Sequence, residues 1–445
     1  MNYHFIAIGG AVMHNLALEL LAHGHTITGS DDEIFDPAKT RLQNAGILPA
    51  ETGWFPPKVH AGLDGVILGM HARADNPELL CAKELGLSIY SFPEFIYEHS
   101  KNKTRVVIGG SHGKTTSTAM LMHVLQECGL DFDYLVGSQL EGFERMVKIS
   151  NAPLIIIEGD EYLTSALHPV PKFHIYRPHH AMITGIAWDH INVFPTFENY
   201  VDQFRIFIDT LEPNASLYWF EKDEELQKMM HGSKILEKPY QEPDFLVTET
   251  GVDVFVGGNT YSLLIFGRHN LQNAAGVQLL AADLGISEDA FWTAMQSFAG
   301  TSRRLEKVVN TTPMVVFRDF AHAPSKVKAS VQAVREQYPN HYFVAVFELH
   351  TFSSLRADFL PAYAHTLDPA DAAFLLFDPH VYALKKMPLP EASILEKTVG
   401  HCRAFSTASE LKSAVQKNIE GKEKIVLLLM SSGNLGGLTM TDFIF

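Results

Sequence analysis

The chain has 445 residues, 46% of them hydrophobic and 19% charged, with a formal net charge of −16. That length exceeds what one core can organise and predicts several domains, while the acidity argues against a nucleic-acid partner, whose phosphates need clustered Lys and Arg. Cys81, Cys128 and Cys402 are too few and too scattered for a disulfide framework; with no leader pattern and no membrane-length apolar run, a cytoplasmic protein without membrane insertion is expected.

In chain order, His4 to Ile8 reads as a strand, Gly9-Gly10 as a turn and Val12 to His23 as an amphipathic helix. Thr26 to Thr28 is a second strand, ending in Gly29-Ser30-Asp31-Asp32. Strands and helices keep alternating through Val66 to Leu68, Pro77 to Leu85 and Ser88 to Tyr90, a doubly wound, Rossmann-like pattern over residues 1–100. The backbone amides of Gly9 and Gly10 suit a pyrophosphate, and Ser30 and Asp31 suit a ribose or base. An ordinary tight turn explains the two glycines equally well, and His14 stands where a third glycine would complete a dinucleotide fingerprint. His71 and Asn76 follow the third strand as weaker candidates. Asn76 precedes Pro77 and reads first as a helix cap.

A second unit opens with the β-branched run Val106-Val107-Ile108, then Gly109-Gly110-Ser111-His112-Gly113-Lys114-Thr115-Thr116 and an apolar-periodic segment. This is a strand, a phosphate-cradling loop and a helix start. Inward-turned backbone amides and the helix end attract the anion, Lys114 reaches the terminal phosphates, and Thr115 offers a hydroxyl to Mg²⁺. Ile108 stands six positions before the lysine, where the general pattern has glycine, so the loop is shorter than the common version.

Pro153 to Ile157 is an unbroken apolar run ending at Glu158, the look of a central parallel strand, with Glu158, Asp160 and Glu161 at its carboxyl end. Ala181 to Ile186 leads into Trp188-Asp189-His190. After Thr210 the texture turns polar and hairpin-like as far as Tyr261 to Ile265, and Gly267 to Asn273 opens an alanine-rich helix. Asn270 and Asn273 share one face of its start, which suits adenine recognition by side-chain amides, or capping. A third unit starts near Gly300 with Arg303-Arg304. It again alternates strands (Met314 to Phe317, Tyr342 to Phe347, Ala373 to Phe377, Ile425 to Leu429) with helices. The 22 histidines include His179-His180 and His23-Gly24-His25, which lack acid or cysteine partners at ligand spacing and read as solvated turns.

The string Gly110-Ser111-His112-Gly113-Lys114-Thr115-Thr116 resembles the phosphate loop of the Mur ligases, ATP-dependent amide-forming enzymes of peptidoglycan metabolism. Further motifs follow in the family's order: Glu158-Gly159-Asp160-Glu161, Asp189-His190, His269-Asn270 with Asn273, Arg303-Arg304, and Asp319-Phe320-Ala321-His322. The resemblance implies an α/β protein of three domains: a Rossmann-like UDP-sugar domain (1–100), a central P-loop ATPase with a parallel sheet (101–299) and a Rossmann-like α/β domain for the amino substrate (300–445). It implies ATP and Mg²⁺ as cofactors, held by Gly110 to Thr116, His269, Asn270, Asn273, Arg304, Asp319 and His322. Thr115, Glu158 and His190 fall to metal, and Lys114, Glu158, His190 and Arg304 to catalysis. Gly9, Gly10, Ser30, Asp31, His71 and Asn76 remain for the sugar nucleotide.

Within the family the chain is most similar to the branch that acts on UDP-N-acetylmuramic acid itself. There the amine is L-alanine in one member and the peptide L-alanyl-γ-D-glutamyl-meso-diaminopimelate in another. Asp160-Glu161-Tyr162, Tyr176-Arg177-Pro178 and Val193-Phe194-Pro195 lean toward the peptide. So does Glu348 to Ser354, which lacks the arginines that alanine-adding members carry after the position of His350. Arg318, Ala323 and Asn192 depart from the usual acid, histidine and aspartate. Two alternatives stand beside this expectation: the L-alanine-adding ligase, and a nucleotide-binding regulatory protein on the same fold. The intact Lys114, Thr115, Glu158 and His190 set argues against the regulatory protein. An NAD-dependent oxidoreductase would leave the second domain unexplained.

Overall fold

A computed structural model describes residues 1–140, 142–165, 167–191, 193–230, 235–311 and 313–443; Asn192 lies outside them. The chain gathers into two compact units, one of residues 1–186, 198–240 and 279–285, the other of 187–197, 241–278 and 286–445.

The first unit holds two sheets. One has four parallel strands in the order Thr26–Ser30, Asn2–Ile6, Gly65–Leu68, Ile89–Ser91. Its strands are short and largely apolar, and Ile6, Val66 and Leu68 pack with Leu79 and Ala82 of the helix Pro77–Glu84. The first strand ends two residues earlier than the sequence suggests, because Ala7 turns to φ +67°. The other sheet has seven strands in the order Leu236–Tyr240, Ser216–Phe220, His180–Ile183, Thr104–Gly109, Leu154–Glu158, Asp133–Leu135, Val147–Lys148. All its pairings are parallel except the last. Its central strands are buried on both faces, hence the unbroken runs Val106-Val107-Ile108 and Ile155-Ile156-Ile157. Phe173 stacks on Phe207 at 4.6 Å between ring centroids, and Phe204 meets Phe173 edge-on at 5.5 Å.

The polar stretch after Thr210 is not hairpin-like at first. Ser216–Phe220 and Leu236–Tyr240 extend the parallel sheet, joined by the helix Glu224–Met230. Charged connections such as Glu221 to Glu225 mask a five-residue buried strand in a composition reading. The antiparallel part begins at Asp244, with the strands Asp244–Val247, Val252–Val256 and Asn259–Leu263.

That small sheet belongs to the second unit, together with a six-stranded sheet. The latter runs Glu306–Asn310, Met314–Asp319, Ile425–Met430, Tyr342–Glu348, Ala372–Leu376, Arg403–Phe405, parallel except for the first pairing. Val316, Val344, Val346, Phe374 and Leu427 form its core with Leu411 and Val415 of the helix Ala408–Ile419. The α/β class with parallel-dominated sheets is the one expected. Among the described residues, no helix is long and apolar enough to cross a membrane.

Candidate active site

The loop between the strand Thr104–Gly109 and the helix Lys114–Glu127 is fixed by its neighbours. Gly110 adopts φ +127° and Gly113, the residue capping the helix, φ +81°. A Cβ on Gly110 would lie 2.2 Å from Thr184 Oγ1. Thr184 in turn donates to the Gly109 carbonyl at 3.2 Å and to that of His112. Ser111 donates its amide to the Gly185 carbonyl (3.0 Å) and shares a 2.8 Å hydrogen bond with the Tyr200 hydroxyl. Thr115 and Thr116 are buried in the first helical turn.

Two acid contacts close the loop. Lys114 Nζ lies 2.6 Å from both the Gly110 carbonyl and Glu161 Oε2. Glu161 is fully buried, and its second oxygen accepts from Tyr200 at 3.1 Å. Burial opposes the charge on Lys114, but Glu161, Asp160 and Glu158 outweigh it and hold the ammonium above its ordinary range. Thr115 Oγ1 donates to Glu158 Oε1 at 2.7 Å, and the Gly137 amide holds the other oxygen at 2.9 Å. The Thr115 hydroxyl and Glu158 carboxylate are hard oxygen donors side by side at the phosphate loop, a pair that suits Mg²⁺. Next to them, Lys172 Nζ pairs with Asp160 Oδ2 at 2.5 Å.

A cavity of about 280 Å³ is lined by Gly10, Met13, His71, Glu158, Asp160 and Lys172, among others. The structure thus brings Gly10 and His71 together with the acids of the central strand. The other sugar-nucleotide candidates hold contacts within the protein. The Gly9 amide donates to Asp31 Oδ2 at 2.7 Å, and burial pushes the Asp31 carboxyl up to about 6. Ser30 is buried and accepts from Lys58 at 3.2 Å. Asn76 caps its helix, accepting from the amides of Glu78 and Leu79 at 3.0 and 3.1 Å.

In the second unit, His190 sits at φ +52° with its amide on Asp189 Oδ1. Asp189 accepts from Lys326 at 3.0 Å, with His322 Nε2 4.0 Å away. Burial raises the Asp189 carboxyl, yet Lys326, His190 and His322 hold it well below the usual carboxylate range. Arg304 lies over the Phe320 ring at 5.0 Å, and Asp319 accepts from Ser330. His269 is depressed by burial, with Asp319 and Glu336 opposing. Asn270 and Asn273 are buried at the start of the helix Arg268–Asp283, where Asn270 donates to the Phe266 carbonyl at 2.8 Å.

Sequence reading missed Tyr200, Lys172 and Lys326. Tyr200 belongs to the apolar stripe of its helix and carries no separate signal. Lys326 does: a cation in the first turn of the helix Pro324–Gln337 is disfavoured by the helix dipole, so it needs a partner.

The family description "Mur ligase family, catalytic domain" matches residues 2–104 and "Mur ligase middle domain" matches 108–281. The chain is 33% identical over 393 residues to UDP-N-acetylmuramate--L-alanine ligase of Streptococcus pneumoniae, covering 84% of this chain and 83% of the relative. Among solved structures, the L-alanyl-γ-D-glutamyl-meso-diaminopimelate ligase of Neisseria meningitides is 26% identical, with a TM-score of 0.60 over 67% of this chain and 98% of that one. The UDP-N-acetylmuramate-alanine ligase of Thermotoga maritima superimposes with a TM-score of 0.69 at 22% identity, covering 98% and 96%. The chain therefore belongs to the Mur ligase family, the ATP-dependent amide-forming ligases of peptidoglycan synthesis.

Proposed function

We propose that the enzyme joins the lactyl carboxylate of UDP-N-acetylmuramic acid to the amine of L-alanyl-γ-D-glutamyl-meso-diaminopimelate, a recycling reaction. The observation that carries this choice of amine is the segment after Glu348. It has no arginine before Arg356. The hydroxyls of Thr351 and Ser354 bond each other at 3.1 Å, and Arg356 is bidentate on Asp358. A free amino acid needs a clamp on its carboxylate next to the reacting amine, whereas a peptide has an amide there. The second reading, L-alanine as the amine, is favoured by the 33% identity to the pneumococcal enzyme.

The residue roles follow from charge. Substrate carboxylate attacks the γ-phosphorus of ATP, ADP leaves, and the resulting acyl phosphate is attacked by the amine with loss of phosphate. Such phosphoryl transfer needs positioning and neutralisation more than covalent help. Gly110 to Thr116 cradle the phosphates and Lys114 neutralises them. Thr115 and Glu158 hold Mg²⁺, which when bound offsets phosphate charge. His190, Arg304, Asp319, His322, His269, Asn270 and Asn273 are assigned to ATP and metal through the family motifs they match. Residues 1–100 take the sugar nucleotide, 101–299 ATP and 300–445 the amine. The cavity supports a sugar-nucleotide role for Gly10 and His71; Gly9, Ser30, Asp31 and Asn76 are assigned to the same ligand through the family resemblance.

Phosphate release from ATP, with Mg²⁺ and UDP-N-acetylmuramate, compared between the peptide and L-alanine, tests the proposal. Turnover with the peptide alone is expected; turnover with L-alanine alone would move the chain to the second reading.

A further inference from the structure

The cavity beside the phosphate loop presents an electrostatic problem. Two of its lining groups, Glu158 and Asp160, are carboxylates, and the substrate group to be activated there is a third. Among the described lining residues, Lys172 is the single lysine or arginine. Its position is built. It opens the short helix Lys172–Ile175, whose next residue, Phe173, is fully buried and stacked on Phe207. The Lys172 amide donates to the Tyr162 carbonyl at 3.0 Å and that of Phe173 to the Asp160 carbonyl at 3.2 Å. The ammonium has three N–H donors. One lies on Asp160 Oδ2 at 2.5 Å, and the side chain, 21% exposed, is part of the cavity lining. Asp160, in turn, accepts the Tyr162 amide on its other oxygen at 3.1 Å, so it fixes the lysine without itself facing a substrate anion unneutralised.

Resting on the function proposed above, we infer that Lys172 binds the lactyl carboxylate of the sugar nucleotide and aims it at the phosphate loop. Asp160 acts as the positioning residue that orients the ammonium. The group recognised is a carboxylate on the sugar, as distinct from the pyrophosphate, for which backbone amides near Gly10 are available.

The test is calorimetric binding of two ligands that differ in this group, UDP-N-acetylmuramate and UDP-N-acetylglucosamine, to the full chain and to Lys172→Gln and Lys172→Arg. Losing a charge-assisted hydrogen bond should weaken UDP-N-acetylmuramate by about tenfold or more in Lys172→Gln, leave UDP-N-acetylglucosamine within about twofold, and be largely restored in Lys172→Arg. The double variant Asp160→Asn, Lys172→Gln removes both charges, so it reports the same loss in a fold with no uncompensated acid. Equal weakening of both ligands would assign Lys172 to the pyrophosphate and overturn the inference. Unchanged affinity for both would reduce it to a partner of Asp160 and also overturn it. Failure of the unmodified chain to bind either ligand would sink the proposed function instead.

Discussion

Lys114 Nζ stands 2.6 Å from Glu161 Oε2, so the cation that opens the helix has a buried carboxylate as its protein partner. Under the proposed function, the lysine exchanges part of this contact for phosphate oxygens when ATP binds. Tyr200 ties the same carboxylate to Ser111, so the loop and its counter-charge move as one hydrogen-bonded set.

Lys114→Met should lower ATP turnover by about 10³-fold, the scale of losing a preorganised group at a developing charge. It should also destabilise by about 3 kcal/mol, because the buried Glu161 loses its cation and keeps only neutral hydrogen bonds such as that from Tyr200. Adding Glu161→Gln should recover most of the stability and none of the activity. Phosphate release and denaturant unfolding separate the two effects; recovered activity in the double variant would remove Lys114 from catalysis.

Glu158→Gln keeps the shape of the strand end and removes a charged oxygen donor next to Thr115. The Mg²⁺ concentration for half-maximal turnover should rise by at least about tenfold, and chelation should silence the unmodified enzyme. A Mg²⁺ titration that does not move would place the metal on other ligands.

Arg356 and Asp358 form an exposed pair, with side chains 36% and 65% accessible. Such pairs contribute little, so Arg356→Ala should change stability by less than about 0.5 kcal/mol and leave peptide turnover unchanged. A large rise in KM for the amine would identify Arg356 as a carboxylate clamp and favour L-alanine.

His322 gives the protein an acid-sensitive point. Burial lowers its pKa to about 4, Lys326 adds to the shift and Asp189 opposes it. An unfolded histidine titrates near 6.5, so between pH 6.5 and 4 the unfolded state binds more protons than the folded one. The associated stability is present above pH 6.5 and is lost as pH falls toward 4, by up to about 3 kcal/mol. His322→Gln should flatten this part of the stability profile while behaving like the unmodified chain at pH 8. Parallel profiles would show that His322 is not the titrating group.

Sequence patterns were informative where backbone chemistry dictates residue type. Glycines at Gly110 and Gly113, followed by Lys114 and Thr115, announce a phosphate loop because few other sequences adopt that turn, and apolar runs such as Leu154 to Ile157 announce buried parallel strands. They were uninformative where a side chain has two uses. Asn76 looks the same as a ligand and as a cap, and its capping shows only in the amides of Glu78 and Leu79 that it accepts. Asp31 looks like a ribose acceptor, and nothing near it in sequence announces the Gly9 amide, 22 residues away, that it also meets. Lys172 gave no signal at all, because the meaning of one lysine between Pro171 and Phe173 depends on Asp160, twelve residues back and across a turn.

Gly110 limits how the site can diversify. Its Cβ position is blocked by Thr184 Oγ1 at 2.2 Å and by the Thr184 backbone nitrogen at 2.9 Å, and its φ of +127° strains any L side chain. Trimming Thr184 would remove the first obstacle and leave the other two, so no single companion substitution opens this position. The turn at Gly110 is thus locked by its own neighbours. Under the proposed function, room for a ligand lies in the cavity that Lys172 lines, not in any change at Gly110.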